Sequence, residues 1–285
     1  MINQKLTILI ILYEENLEII NKCLENIKDF KIIIIDNANN KSLKDKIIKN
    51  FKIYKYFLNE KNIGFSRAAN QGVCECDTEN LLILGADCLI TYHDIEQLVL
   101  AKDKYKNSFL ISPTFYDSSG NLTYNGGPLY EDGEKNKILK NYGDVCVNAV
   151  LTTAVLFKVK DIKDLGLFDE QFFLYFLDDD LCRRIKNINK SIIQVYNSKA
   201  IHDHGQLKVK NKLKRIFFGN FYFNFEELYY LHKINSHQHK YNNLKKKIPK
   251  FFVKLIVNFL IFRFDKFVYY LSKTLAFYKF KKLIK

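Results

Sequence analysis

A chain of 285 residues with 48% apolar and 15% aromatic content fills a sizeable core, as one large domain or two smaller ones. Its net charge of +14 is unevenly placed: residues 206–285 hold 19 Lys/Arg against 3 Asp/Glu, a net of +16, which leaves residues 1–205 at −2. Three Pro residues argue against long disordered linkers, and the six cysteines (Cys23, Cys74, Cys76, Cys88, Cys146, Cys182) lack paired metal spacing. No secretory leader is visible, so a reducing cytosol with free thiols is the expected setting.

Thr7–Tyr13 is a continuous apolar run rich in β-branched residues and reads as a buried parallel strand, too short to span a bilayer. Glu14–Ile27 carries Leu17, Ile20, Cys23, Leu24 and Ile27 near helical spacing. Lys31–Ile35 is a second strand, followed by Asp36 and Asn37, and Ile53–Leu58 a third. Asn62-Ile63-Gly64 gives a turn, and Phe65–Cys74 a helix with Arg67 and Asn70. Leu81–Leu84 is a fourth strand, broken by Gly85-Ala86-Asp87. This alternation predicts a parallel sheet with helices on both faces, whose ligand crevice lies outside the carboxyl ends of the strands. Asp36 and Asp87 both fall at or just after predicted strand ends.

Neither G-x-x-x-x-G-K-[ST] nor G-x-G-x-x-G occurs, which argues against a P-loop kinase and a nicotinamide-dependent Rossmann enzyme. A bound diphosphate must then be met by a metal or by cationic side chains. Asp87 suits Mg2+ or Mn2+, which prefer carboxylate oxygens. Residues 111–150 read as an irregular, hairpin-bearing excursion. Thr152–Lys158 returns as a strand, and Asp161–Leu165 reads as a short helix.

The densest chemistry lies in residues 172–205, where Asp178, Asp179 and Asp180 follow an aromatic-aliphatic run. Repulsion and partial desolvation raise a carboxyl pKa, which makes a general base near neutral pH. A helix N-terminus at the same place opposes that rise. Its plainer reading is an acidic first turn.

The order of these pieces resembles the family 2 glycosyltransferases of the GT-A fold, especially their rhamnosyltransferase-like branch, over roughly residues 5–235. The carrying segments are Leu12-Tyr13-Glu14, Ile35-Asp36-Asn37, Asn62-Ile63-Gly64-Phe65-Ser66-Arg67-Ala68-Ala69-Asn70, Leu84-Gly85-Ala86-Asp87, Gly166 through Arg184, and His202-Asp203-His204-Gly205. The Gly166–Arg184 segment is the most specific. Three positions depart from the family pattern. Gly85 stands where Asn or Asp is usual, Leu177 replaces a Glu, and Thr153 falls near a customary small Gly.

The resemblance implies a Rossmann-like α/β domain over residues 1–205, with a mostly parallel sheet, and a basic, aromatic, helical extension over residues 206–285. It implies Asp178 as catalytic base in an inverting transfer. Donor contacts would come from Tyr13, Asp36, Asn37, Asn62, Gly64, Arg67, Asn70 and Ala86. Asp87 and His202 would meet a divalent metal, Mg2+ or Mn2+, and Asp179, Asp180 and His204 are secondary candidates. The implied donor is a UDP-, dTDP- or GDP-sugar, and the acceptor a hydroxyl of a glycan, here expected to be lipid-linked and part of surface polysaccharide biosynthesis.

In the tail, Phe217–Tyr230 gathers eight aromatics with two charges, Glu226 and Glu227. From Phe251 on, the pattern reads as a basic helical stretch with Phe252, Ile256, Phe259, Leu260, Phe267 and Leu271 on one face. That suits a helix lying on an anionic membrane surface, hence a peripheral protein on the cytoplasmic face of the cell membrane. Two rival readings are a catalytically silent scaffold of a glycan-assembly complex and a nucleic-acid binder using the basic tail; the membrane reading expects no nucleic acid.

Overall fold

A computed structural model gives the structure of residues 2–123, 126–132, 141–203, 209 and 211–285. Its chain divides into two compact units, Met1–Glu170 with Leu177–His204, and Gln171–Phe176 with Gly205–Lys285. Sequence reading leaves Gln171–Phe176 with the first unit; in the structure this segment groups with the tail.

Among the described residues, the first unit is built on a nine-stranded sheet. Its core strands are β1 (Leu6–Leu12), β2 (Lys31–Asp36) and β4 (Asn80–Leu84), whose apolar side chains are buried on both faces. With β3 (Lys55–Leu58) they pair in parallel, in the order β3-β2-β1-β4. Helices α1 (Leu17–Ile27), α2 (Lys41–Asn50) and α3 (Phe65–Glu75) make the crossovers. Asn16 caps α1 by accepting from the Glu18 N–H, and Asn40 caps α2 by accepting from Leu43. Gly72 brings α3 against β1: a Cβ there would lie 2.4 Å from both Leu9 methyl carbons.

Beyond β4 the sheet turns mixed. β8 (Ala154–Lys158) runs antiparallel to β4 and to β6 (Ser108–Tyr116), and β9 (Ser191–His202) runs parallel to β6. β9 also pairs antiparallel with β5 (Cys88–Ile90) and β7 (Val145–Val147). Within the stretch read as irregular, residues 111–116 belong to buried β6 and residues 145–147 to β7. α4 (Tyr92–Lys104) opens with a Thr91/Asp94 capping box. It is fixed to the start of β6 by buried Lys102, whose ammonium donates to the Ser108 and Phe109 carbonyls at 2.6 and 3.0 Å. α5 (Val159–Asp164) and α6 (Leu177–Asn187) complete the unit.

In the second unit, α7 (Lys212–Lys233), α8 (Gln238–Leu260) and α9 (Phe264–Leu283) bury Phe225, Leu228, Leu244, Ile248, Phe251, Ala276, Phe277 and Phe280 together. The expected single apolar stripe after Phe251 is corrected. The chain breaks at Ile261–Arg263, and α8 turns Leu244, Ile248, Phe251 and Leu255 inward while Phe252, Ile256, Phe259 and Leu260 stay exposed. Buried Glu226 on α7 accepts from the backbone N–H groups of Phe173, Leu174 and Tyr175 at 2.7, 3.1 and 2.6 Å. That accounts for Gln171–Phe176 joining this unit. Phe176, with φ 58°, holds a conformation costly for an aromatic residue, offset by ring contacts to Phe223 and Tyr230. Among the described residues no helix is long and apolar enough to cross a membrane.

Candidate active site

The site follows from strand register. Leu12 pairs with Asp36, and Asp36 with Leu58, so Tyr13, Asn37 and Asn59 emerge at one carboxyl edge. Leu9 pairs with Ile83, and just past the end of β4 at Leu84 the chain turns through Gly85-Ala86-Asp87, closed by the Cys88 N–H donating to the Gly85 carbonyl at 2.9 Å. On the far side Leu84 pairs with Ala154, and the Gly85 N–H donates to the Thr153 carbonyl at 2.7 Å. Cys88 pairs with His202 at the end of β9.

That edge brings Asp87 and His202, 115 residues apart in sequence, to 3.7 Å between Oδ1 and Nε2. Two ligands of one cation, each about 2.1 Å from it, lie roughly 3 to 4 Å apart, so a carboxylate and an imidazole at this spacing fit a shared divalent ion. Among the described residues no group of three or more His, Cys, Asp or Glu gathers to hold a metal. The remaining ligands would have to be substrate oxygens or water, the usual arrangement for Mg2+ at a diphosphate. Beneath the site lie two thiols. Burial, then the charge of Asp87, pushes the Cys23 thiol up to about 12; burial, then Cys23 and Asp87, raises that of Cys88 well above its ordinary value. Both stay protonated and add no charge beside Asp87.

Asp178 is tied to the Thr152–Thr153 pair, whose second residue borders Gly85. Its Oδ1 accepts from the Thr152 N–H at 2.7 Å, from the first turn of α6. Thr153 in turn flanks Gly85: a Cβ on Gly85 would lie 3.3 Å from Thr153 Cγ2 and 3.2 Å from Asp87 Oδ1. The three acids part company here. Asp179 is buried and accepts from the Tyr130 N–H at 2.9 Å, and buried Asp180 pairs with Arg184 Nε at 2.9 Å. Asp178 is the half-exposed one.

The expected donor residues form two networks. Asp36 is fully buried; Oδ1 accepts from the Ala38 N–H at 2.7 Å and Oδ2 from the Tyr56 hydroxyl at 3.1 Å. Burial, then the charge and hydrogen bond of Asp36, keeps Tyr56 protonated well above its ordinary range. Asn37 donates to the Gly64 carbonyl and accepts from Asn59, while Asn62 Oδ1 accepts from the Gly64 N–H. Gly64 opens α3 at φ 87° without a side-chain cap. The second network ties α3 to the segment before α6. Asn70 donates to the Phe168 carbonyl and accepts from its N–H, both at 2.9 Å. Glu170 meets Arg67 at 3.3 Å and Asn70 at 3.3 Å. Asn70 therefore acts through backbone, whereas Arg67 stays half-exposed beside Glu170. Tyr13 is half-buried and Ala86 buried at the same edge. His204 lies outside the described residues. Sequence reasoning missed Thr152, Tyr56 and Asn59, since backbone donors and strand neighbours leave no motif; Glu170 lay in view within the Gly166–Arg184 segment.

Solved glycosyltransferases share this fold. The chain superposes on GalNAc-T7, solved with UDP, GalNAc and Mn2+, at TM-score 0.58 and 14% identity, over 79% of this chain and 51% of that one. It matches mannosyltransferase PcManGT from Pyrobaculum calidifontis, in complex with GDP-Man and Mn2+, at TM-score 0.55 and 13% identity, over 81% of this chain and 64% of that one. With S. aureus TarS the TM-score is 0.51 at 12% identity, over 75% of this chain and 38% of that one. The chain thus spans between about a third and two thirds of these structures, and the likeness defines the class of fold, a GT-A glycosyltransferase fold. In sequence, dTDP-rhamnosyl transferase RfbF of Shigella flexneri is 25% identical over 217 residues, 73% of this chain and 72% of its own length. The family described as "Glycosyl transferase family 2" matches residues 7–162. This chain belongs to glycosyl transferase family 2.

Proposed function

We propose that the protein moves a sugar, with inversion, from a nucleotide diphosphate to a hydroxyl of a lipid-linked glycan during surface polysaccharide synthesis. A dTDP-6-deoxyhexose is the favoured donor, by similarity to the protein named dTDP-rhamnosyl transferase RfbF. The observations that support the reading are the 3.7 Å approach of Asp87 and His202 and the hydrogen bond of Asp178 to Thr152, next to the Thr153 that flanks Gly85.

Asp36 and Asp87 are separated by the strand order β2-β1-β4, so by roughly 10 Å at the usual strand spacing, about the span of a nucleoside. The base would sit over the Asp36–Asn37–Asn59 network, where buried Asp36 positions Ala38 and Tyr56. Arg67 would face the nucleotide from the first turns of α3. Asp87 and His202 would hold a divalent cation, Mg2+ or Mn2+. Such a cation, when bound, offsets charge on the departing diphosphate. The Thr152 N–H fixes one carboxylate oxygen of Asp178 and so orients the group. Asp178 takes the acceptor hydroxyl proton as that oxygen bonds to the anomeric carbon and the bond to the diphosphate breaks. The lipid-linked acceptor is favoured by the basic, aromatic second unit, and it sets the protein on the cytoplasmic membrane face.

The test is transfer from dTDP-, UDP- and GDP-sugars to membrane extracts containing lipid-linked glycans, read by mass spectrometry. A sugar-sized mass gain with the parent chain, lost in Asp178→Asn while nucleotide binding persists, supports the proposal. Equal inertness of parent and variant with every donor favours the silent scaffold.

A further inference from the structure

In the second unit, large apolar side chains crowd one end of the α8–α9 hairpin instead of its core. Val253 is 61% exposed, Ile256 63%, Leu260 67% and Phe262 77%, with Ile261 and Phe264 also exposed. Phe262, at φ 56°, turns the chain between the helices and stacks edge-on against Phe264. Single exposed apolar residues need no explanation, but a contiguous group of this kind marks an interaction surface.

Charge says what covers it. Residues 238–285 contain one acid, Asp265, against many Lys and Arg. Lys250 and Lys266 stand exposed on the two helices behind the tip, and Arg263 within it. Behind the apolar end comes a tyrosine-lysine layer. Lys254 donates to the Tyr270 hydroxyl at 2.8 Å and Lys273 to the Tyr269 hydroxyl at 2.6 Å. An apolar tip flanked by tyrosines and cations matches the composition of a membrane-water boundary. Val253 to Leu260 measures about 10 Å along α8 at 1.5 Å per residue, close to the 5–10 Å that interfacial helices embed. A second copy would press like charge on like charge.

We propose that the α8–α9 hairpin inserts its Val253–Phe264 tip into the acyl boundary of one anionic leaflet, with Lys250, Arg263 and Lys266 meeting lipid phosphates. This rests on the membrane-bound acceptor of the proposed function and names the surface that engages the membrane.

The chain has no Trp, so Phe262→Trp gives a lone reporter at an exposed position. Ile48→Trp, on α2 of the first unit and 47% exposed, is the control. Each full-length variant is mixed with vesicles of roughly three parts phosphatidylcholine to one of phosphatidylglycerol, and with phosphatidylcholine alone. The expected result is a blue shift for Trp at 262, with quenching by lipids brominated on the acyl chain, and neither for Trp at 48. Leu260→Ser with Phe262→Ser should lower vesicle partition at least about tenfold while the far-UV spectrum holds. Vesicle binding with a water-exposed reporter at 262 would overturn the hairpin inference and leave the membrane reading standing. No vesicle binding, with full transfer to a soluble acceptor, would overturn both. A blue shift that grows with protein concentration in lipid-free buffer would make the tip a self-association face and overturn the inference.

Discussion

Asp178 and Gly85 both depend on the Thr152–Thr153 pair. Thr152 orients the Asp178 carboxylate by one N–H at 2.7 Å, and Thr153 occupies the room beside Gly85. Asp178→Asn keeps size and loses basicity, so turnover should fall by roughly a hundred- to ten-thousandfold, with little change in donor KM. Steady-state kinetics checks it. Gly85 explains one departure from the family pattern. A Cβ there would crowd Asp87 Oδ1 at 3.2 Å and Thr153 Cγ2 at 3.3 Å, so the larger residue usual at 85 and the Thr at 153 compete for one space. Gly85→Asn should therefore cost about 1 to 3 kcal/mol of stability, and Thr153→Gly in the same chain should recover part of it. A double-mutant cycle of melting curves measures that coupling; strict additivity would contradict it.

At the scale of elements, two side chains hold the segment that precedes α6. Asn70 satisfies both backbone groups of Phe168 from across the sequence, and Asn70→Ala would leave two buried groups unpaired. A loss of about 2 kcal/mol or more is expected, seen as a melting temperature several degrees lower. Glu226 gathers three N–H groups of Phe173–Tyr175. Burial drives its pKa up to about 7, against the pull of those donors and of Lys279. The folded state therefore keeps this proton to higher pH than the unfolded chain, whose value lies near 4.5. Stability from this group falls as pH rises from about 4.5 to 7 and is level outside that window. Glu226→Gln should flatten that part of the stability profile, as measured by urea midpoints across the range. It should also lower stability at every pH, because an amide nitrogen replaces one acceptor.

Across the whole molecule, the parallel half of the sheet was legible because β1, β2 and β4 are short unbroken apolar runs, a pattern only burial on both faces produces. The candidate acids were legible because they follow those runs. The mixed half was not. β9 finds partners in residues 88–90, 108–116 and 145–147, and no local pattern announces such distant pairing. α4 hid because most of its apolar residues bunch in Leu98–Ala101 and one of its buried positions is a lysine. In the tail the sequence carries no glycine at the Ile261–Arg263 break, while Pro249 sits inside α8, so the usual stop signals pointed to the wrong places.

The central claim is that Asp87 and His202 grip the diphosphate of an activated sugar through a divalent cation. A ligand that binds only the folded state raises its melting temperature, and at a hundredfold its Kd the gain is about 2.7 kcal/mol. The most direct measurement is the melting temperature with dTDP, with and without Mn2+, for the parent chain and for Asp87→Ala. The account predicts a rise of several degrees that needs Mn2+ in the parent and vanishes in Asp87→Ala. An equal rise without Mn2+, or one that survives in Asp87→Ala, would contradict it.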